Sequence, residues 1–444
     1  MSVVEPPPNA LYTAHLLQVI AAYDEALDAA GADMAVIYSG GLRMAFLDDR
    51  PYPFVVNPQF KYWAPITQVP DSYVIYKPGQ TPILAYCQPD DFWHAVPQAP
   101  DPYWAHHFDV RSIRTPAEAK SLLPQAKAPI FIGDVGDTAL ALGIERHNPS
   151  AALHVLDIAR ITKTPYELER LRAASRLGAI AHEAAASAFA GGGVSEFDLH
   201  QAYLSSIRAI DDELPYNSIV ALNEHAAVLH YQHRERVAPG ESRTFLIDAG
   251  AQAAGYASDI TRTYSTDDGA FNDLITAMDR LQQNLCDEVV SGADYRELHQ
   301  RMHTLLAGVL TDTGIGKGST EGLIESGITR VFLPHGMGHY LGLQVHDVGG
   351  HLLDAQGTPT ERPEQDPALR LTRSLAENEV LTVEPGLYFI PMLLDPLRES
   401  PNKDLLNWQK VDALTPYGGI RIEDNVRVLH DGHENLTRDA FAAL

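Results

Sequence analysis

The chain has 444 residues, with 33 Lys plus Arg against 58 Asp plus Glu and a formal charge of −25 at pH 7. That balance argues against a nucleic-acid partner, because phosphate neutralisation needs a basic face assembled against the overall field. At 45% hydrophobic and 20% charged residues the composition is that of a globular protein long enough for two or more domains, and no apolar run reaches the roughly 18–20 residues of a membrane span. The first basic side chain is Arg43, so no positively charged leader of a signal peptide is expected. The two cysteines, Cys87 and Cys286, suggest no disulfide framework and fit a reducing cytoplasm.

In chain order, an amphipathic helix is predicted over residues 11–30, where Leu16, Leu17, Ile20, Tyr23 and Leu27 recur at helical spacing. Short apolar strands follow at 34–38, 73–76, 83–86 and 130–133, separated by Pro and Gly, which makes residues 1–160 an α/β domain. A capping box at Thr164-Pro165-Tyr166-Glu167 opens the next helix and sets residues 161–444 apart as a second domain. That helix is stopped by Gly191-Gly192-Gly193, and Ser195 to Asp198 repeats the cap signature. Beyond it neither G-x-G-x-x-G nor a Walker-type motif occurs, so no nucleotide cradle is expected. The segment 391–401 reads as a surface loop.

The chemistry gathers in the second domain. Thr244 to Asp248 is an apolar strand ending on an acid, and a tight turn at Ala253-Ala254 would set Asp248 directly opposite Asp259 on the returning strand. Like charges facing each other across a hairpin are destabilising, so a cation between them is expected. Further on, His335, His339 and His346 are interleaved with Gly336, Gly338 and Gly342, which lets backbone and imidazoles approach a ligand closely. Two more acids, Glu384 and Glu423, end half-apolar strands, and a buried Glu needs a partner. Two Asp, two Glu and one His form an oxygen-rich set that two divalent cations would neutralise, favouring Mn²⁺, Co²⁺ or Fe²⁺ over a thiolate zinc site. A pair of such ions roughly 3.5–4 Å apart can activate water for hydrolysis.

With these residues in place, the sequence resembles the pita-bread metallopeptidases, and among them the bacterial prolidases (Xaa-Pro dipeptidases) and the closely related organophosphorus acid anhydrolases. The likeness lies in Ile247-Asp248-Ala249-Gly250 with Asp259, the run Pro334 to Asp347, Thr382-Val383-Glu384-Pro385-Gly386, and Gly419-Ile420-Arg421-Ile422-Glu423-Asp424-Asn425. It extends to Phe46-Leu47-Asp48-Asp49 and Asn57-Pro58-Gln59-Phe60. The resemblance implies an N-terminal α/β domain for dimerisation and substrate access, then an α+β catalytic domain with a curved antiparallel sheet. It implies two Mn²⁺ per subunit, with Co²⁺, Fe²⁺ or Zn²⁺ as substitutes, held by Asp248, Asp259, His339, Glu384 and Glu423. A bridging hydroxide would attack the Xaa-Pro carbonyl with Glu384 as general base, and His346, His230 and His335 would assist. Arg370 is assigned to the substrate carboxylate, with Arg373 its competitor, because a guanidinium binds a carboxylate bidentately. Arg421, grouped with the substrate-binding residues, is expected to brace the ligand Glu423. Asp49 of a neighbouring subunit would meet the substrate ammonium, which implies a cytoplasmic homodimer with a side activity on organophosphorus esters. The competing expectations are an aminopeptidase acting on longer Xaa-Pro peptides and a non-catalytic interaction protein.

Overall fold

Tyr12, Leu16, Val19, Tyr23 and Leu27 line one buried stripe of the first helix, Asn9–Ala29, in a computed structural model that describes residues 9–444. The stripe rests on the helix Ser150–Ile161. Beside them lies a six-stranded sheet in the order Asp109–Ile113, Ile83–Cys87, Tyr73–Tyr76, Met34–Tyr38, Pro129–Ile132, Arg146–His147. It is mixed: Met34–Tyr38 runs antiparallel to Tyr73–Tyr76 and parallel to Pro129–Ile132. The four apolar strands read from the sequence are all present. The two edge strands were not foreseen, because Asp109–Ile113 is largely exposed and Arg146–His147 is short and polar, so neither carries an apolar signal. Among the described residues this first unit comprises 9–170 with Ala253–Tyr256 and Leu352–Pro359.

The boundary at Arg170 falls inside the helix Pro165–Gly191, whose start is held by the capping box: Thr164 N donates to Glu167 at 2.9 Å and Glu167 N donates to the Thr164 hydroxyl at 3.3 Å. A second capping box, Ser195 with Asp198, opens Glu196–Ile207. The second unit is α+β and its strands form short antiparallel sheets. One joins Ile219–Leu222, Thr244–Asp248 and Thr261–Ser265. Another joins Val380–Val383, Asp424–Leu429 and Gly432–Asn435, and a third pairs Gly386–Tyr388 with Gly419–Arg421. Single bridges, Thr261 to Glu423 and Tyr340 to Leu381, stitch these pieces together. The helices Ala270–Asp287 and Tyr295–Asp312 pack side by side. Within 391–401, expected to be loop, Pro391–Arg398 is a helix: Pro391 occupies its first turn, where a missing N–H costs nothing.

Candidate metal centre

The hairpin carrying both aspartates turns at Ala254-Gly255, where both φ angles are positive (51° and 88°), the pattern of a two-residue type I′ turn. Asp248 therefore pairs with Thr261, and Ser258 N donates to Ala251 O at 2.8 Å. This corrects the expected turn at Ala253-Ala254 and the direct opposition of Asp248 and Asp259: the register is displaced by two residues. Because side chains alternate with period two, that displacement leaves both aspartates on one face, as diagonal neighbours. The position opposite Asp259 is Gly250, where a Cβ would lie 2.0 Å from Ser258 O and 2.7 Å from the Tyr216 ring. The glycine admits Tyr216, whose hydroxyl lies 2.8 Å from Asp248 Oδ1 and 2.5 Å from Asp259 Oδ1. Burial and the two carboxylates raise the Tyr216 pKa well above the usual phenol value, so it stays a donor.

Three further ligand candidates converge on the same face. His339 Nδ1 donates to Tyr340 O at 2.9 Å, which turns Nε2 toward Asp259 Oδ2 at 3.4 Å and Glu384 Oε1 at 3.9 Å. Glu384 follows the strand Val380–Val383 and is fixed by its own N–H on Met337 O at 2.8 Å. Glu423 sits at the bridge to Thr261 and accepts that residue's hydroxyl at 2.7 Å. Asp248 Oδ2 accepts from Arg421 at 2.6 Å. Asp259, His339 and Glu423 each place one donor atom within 4.8 Å of the others.

The electrostatics follow from burying like charges. Burial pushes Glu384 up to about 7, with Asp259 and Asp248 adding to the rise and His339 and Arg421 opposing it. Burial and the surrounding carboxylates likewise raise Glu423. Burial raises Asp248 although Arg421 opposes it, whereas Asp259 is lowered despite its burial because His339 and Tyr216 hydrogen-bond to it. Four carboxylates thus share one guanidinium and one imidazole, and His339 Nε2 is aimed into the acidic face. The residues fit a pair of divalent cations: an oxygen-rich donor set with one nitrogen whose negative charge exceeds its local compensation.

The other predicted residues are distributed unevenly. His346 stands edge-on to His339 with ring centroids 4.4 Å apart. His335 donates from Nδ1 to Gly336 O at 2.8 Å and accepts at Nε2 from the Tyr388 hydroxyl at 2.8 Å, and burial with Arg421 lowers its pKa to about 3. Its imidazole is therefore neutral and of fixed tautomer. His230 is exposed and lies within electrostatic reach of both His335 and His346. Arg370 is exposed and its charge reaches His346, while Arg373 hydrogen-bonds Tyr340. Arg421 is buried, and its side chain donates to Asp248, to Tyr388 at 2.9 Å and to Thr261 at 3.3 Å. Asp49 lies in the first unit, exposed. Tyr216, Tyr388 and Thr261 were missed, since no local pattern marks a residue that meets its partners only after folding.

Two family models match the chain: "Xaa-Pro dipeptidase, N-terminal domain" over residues 10–158 and "Metallopeptidase family M24" over residues 169–430. The Xaa-Pro dipeptidase of Stenotrophomonas maltophilia (strain K279a) is 47% identical over 99% of both chains. That of Xanthomonas campestris pv. campestris (strain B100) is 48% identical over 99% of both. Among solved structures, aminopeptidase P from E. coli with the inhibitor Pro-Leu matches with a TM-score of 0.74 at 22% identity, covering 98% of this chain and 96% of that one. Pseudomonas aeruginosa aminopeptidase PepP matches with a TM-score of 0.73 at 20% identity, covering 99% of both. These two establish the likeness of fold.

Proposed function

The chain belongs to metallopeptidase family M24, and on that premise we propose that it is a metallo-dipeptidase that hydrolyses Xaa-Pro dipeptides. The observation that carries the reading is the cluster of buried Asp259, His339 and Glu423 with the half-buried Asp248 and Glu384 beside it, in a chain 47% identical to an Xaa-Pro dipeptidase over 99% of its length. These five residues would hold two divalent cations, Mn²⁺ by preference for an oxygen-rich set. The cations supply, when bound, charge neutralisation for the carboxylates and an acidified water.

The chain's own residues do the rest. Glu384 is the general base: its side chain is 19% exposed against 7% for Asp259, so it is the more open to an incoming water. Arg370, exposed and near His346, takes the substrate carboxylate as a bidentate clamp. His335, held neutral between Tyr388 and Gly336, and His230 flank the leaving proline, and His346 steadies the developing charge on the scissile carbonyl. Asp49 of a second copy meets the substrate ammonium, the N-terminal domain serving dimerisation and access. The exposure of Phe46 (89%) and Leu47 (90%) beside Asp49 supports that assembly. Two free, buried cysteines support a reducing cytoplasm.

The test is release of free proline from Leu-Pro or Ala-Pro by the Mn²⁺-loaded protein, abolished by chelation and restored by Mn²⁺. A fully metal-loaded protein that turns over no Xaa-Pro dipeptide would refute the reading, and turnover of longer Xaa-Pro peptides alone would make it an aminopeptidase.

A further inference from the structure

A second group of ligand-type side chains lies apart from the acidic centre. His299 and His303 are one turn apart on the helix Tyr295–Asp312 and so share a face. Both are buried, each 1% exposed, with ring centroids 4.8 Å apart. Asp366, also buried, comes to them from the segment that leads into Leu369-Arg370. Its Oδ1 is 3.3 Å from His299 Nε2, while neither His299 Nδ1 nor His303 Nδ1 makes a hydrogen bond. Buried polar atoms are normally partnered, so two orphaned ring nitrogens in one cluster ask for an explanation.

We infer that His299, His303 and Asp366 form a structural site for a divalent transition metal of the zinc class. One donor atom from each residue already lies within 4.8 Å of the others. Ligands about 2.0–2.2 Å from a tetrahedral ion stand roughly 3.3–3.6 Å from one another, so closure needs side-chain shifts of about an ångström.

The nature of the ion follows from the donors. Two imidazoles and one carboxylate make a nitrogen-rich set that suits Zn²⁺, whereas the oxygen-rich centre suits Mn²⁺. Arg330 donates to Asp366 at 2.8 and 3.2 Å and Gln300 at 2.8 Å, which neutralises the carboxylate but leaves lone-pair capacity on Oδ1. The guanidinium opposes a cation, so the imidazoles must provide most of the affinity. The ion would tie the helix to the segment bearing Arg370.

Zn²⁺ itself is the probe. Crystals of the full chain soaked in Zn²⁺ and measured at the zinc edge should show an anomalous peak among His299, His303 and Asp366, separate from the acidic centre. In solution, His303→Gln and His299→Gln, which leave all five acidic-centre ligands intact, should each retain one Zn²⁺ equivalent per chain fewer than the wild type after dialysis. Absence of the anomalous peak, or equal Zn²⁺ content in wild type and both folded variants, would overturn the site. If neither variant folds, the wild-type crystal decides.

Discussion

Tyr216 shows how a single side chain organises the acidic face. Its hydroxyl reaches both Asp248 and Asp259, and since burial keeps it protonated its one proton is shared between two carboxylates that would otherwise repel. Removing one such supporting contact typically costs about 10–100-fold in metal affinity or activity. Tyr216→Phe should therefore fall in that range, read as the Mn²⁺ concentration for half-maximal activity, with an unchanged thermal midpoint in the metal-loaded state. Arg370→Ala should raise KM for Ala-Pro by about 10–100-fold, the cost of one charge-assisted contact, while a longer Xaa-Pro peptide, whose carboxylate lies elsewhere, is spared. Equal loss on both substrates would remove Arg370 from the clamp. The five ligand candidates were legible because acids at the ends of apolar strands and histidines among glycines are local patterns. Tyr216 was not: nothing in Pro215-Tyr216-Asn217 records that residues 32 and 43 positions away will meet it.

At the scale of elements, the centre depends on strand register. Gly250 lets the hairpin close over Tyr216, and any Cβ there would strike the backbone oxygen of Ser258. Gly250→Ala should destabilise the fold by about 1–3 kcal/mol, the usual penalty of overpacking, and should lower metal content as well as the thermal midpoint. The sequence predicted the strands and the face of both aspartates but misplaced their pairing by two residues. Hydrophobic alternation fixes which side a residue faces, whereas pairing is set by the turn, and Ala254 gave no cue that it would take a positive φ. Charge also fixes elements to one another. Glu434, on the strand Gly432–Asn435, accepts from Arg172 at 2.6 and 2.8 Å and from Arg427 at 2.9 Å. Burial works against its charge, but the two guanidinium groups outweigh it and hold the carboxyl below its ordinary value. A lowered folded pKa means stability that is present above the ordinary carboxylate value and lost as pH falls through the folded one. Glu434→Gln should therefore cost about 1–2 kcal/mol at neutral pH, and the gap to wild type in urea unfolding should close as the solution is acidified. A gap independent of pH would show that packing, not charge, is lost.

For the whole molecule, the strongest exposed apolar feature among the described residues is the loop bridged by Met44 and Pro51, which presents Phe46 and Leu47 almost fully to solvent. If this loop joins two copies, Phe46→Asp with Leu47→Asp should yield a monomer in sedimentation velocity, and Asp49→Asn should raise KM without dissociating the dimer. A monomeric wild type would overturn the assembly. The N-terminal α/β sheet was legible in its apolar central strands and illegible at its polar edges, since edge strands owe their place to pairing rather than to burial. The second unit has a different dependency. Its ligand candidates are spread over separate short sheets, so bound cations would act as cross-links between them. Each tenfold rise of free cation above its dissociation constant then adds about 1.4 kcal/mol per site to the folded state. Resistance to proteolysis would consequently track the supply of metal, and under metal starvation the chain would be cleared as an unfolding protein rather than persist as an idle enzyme.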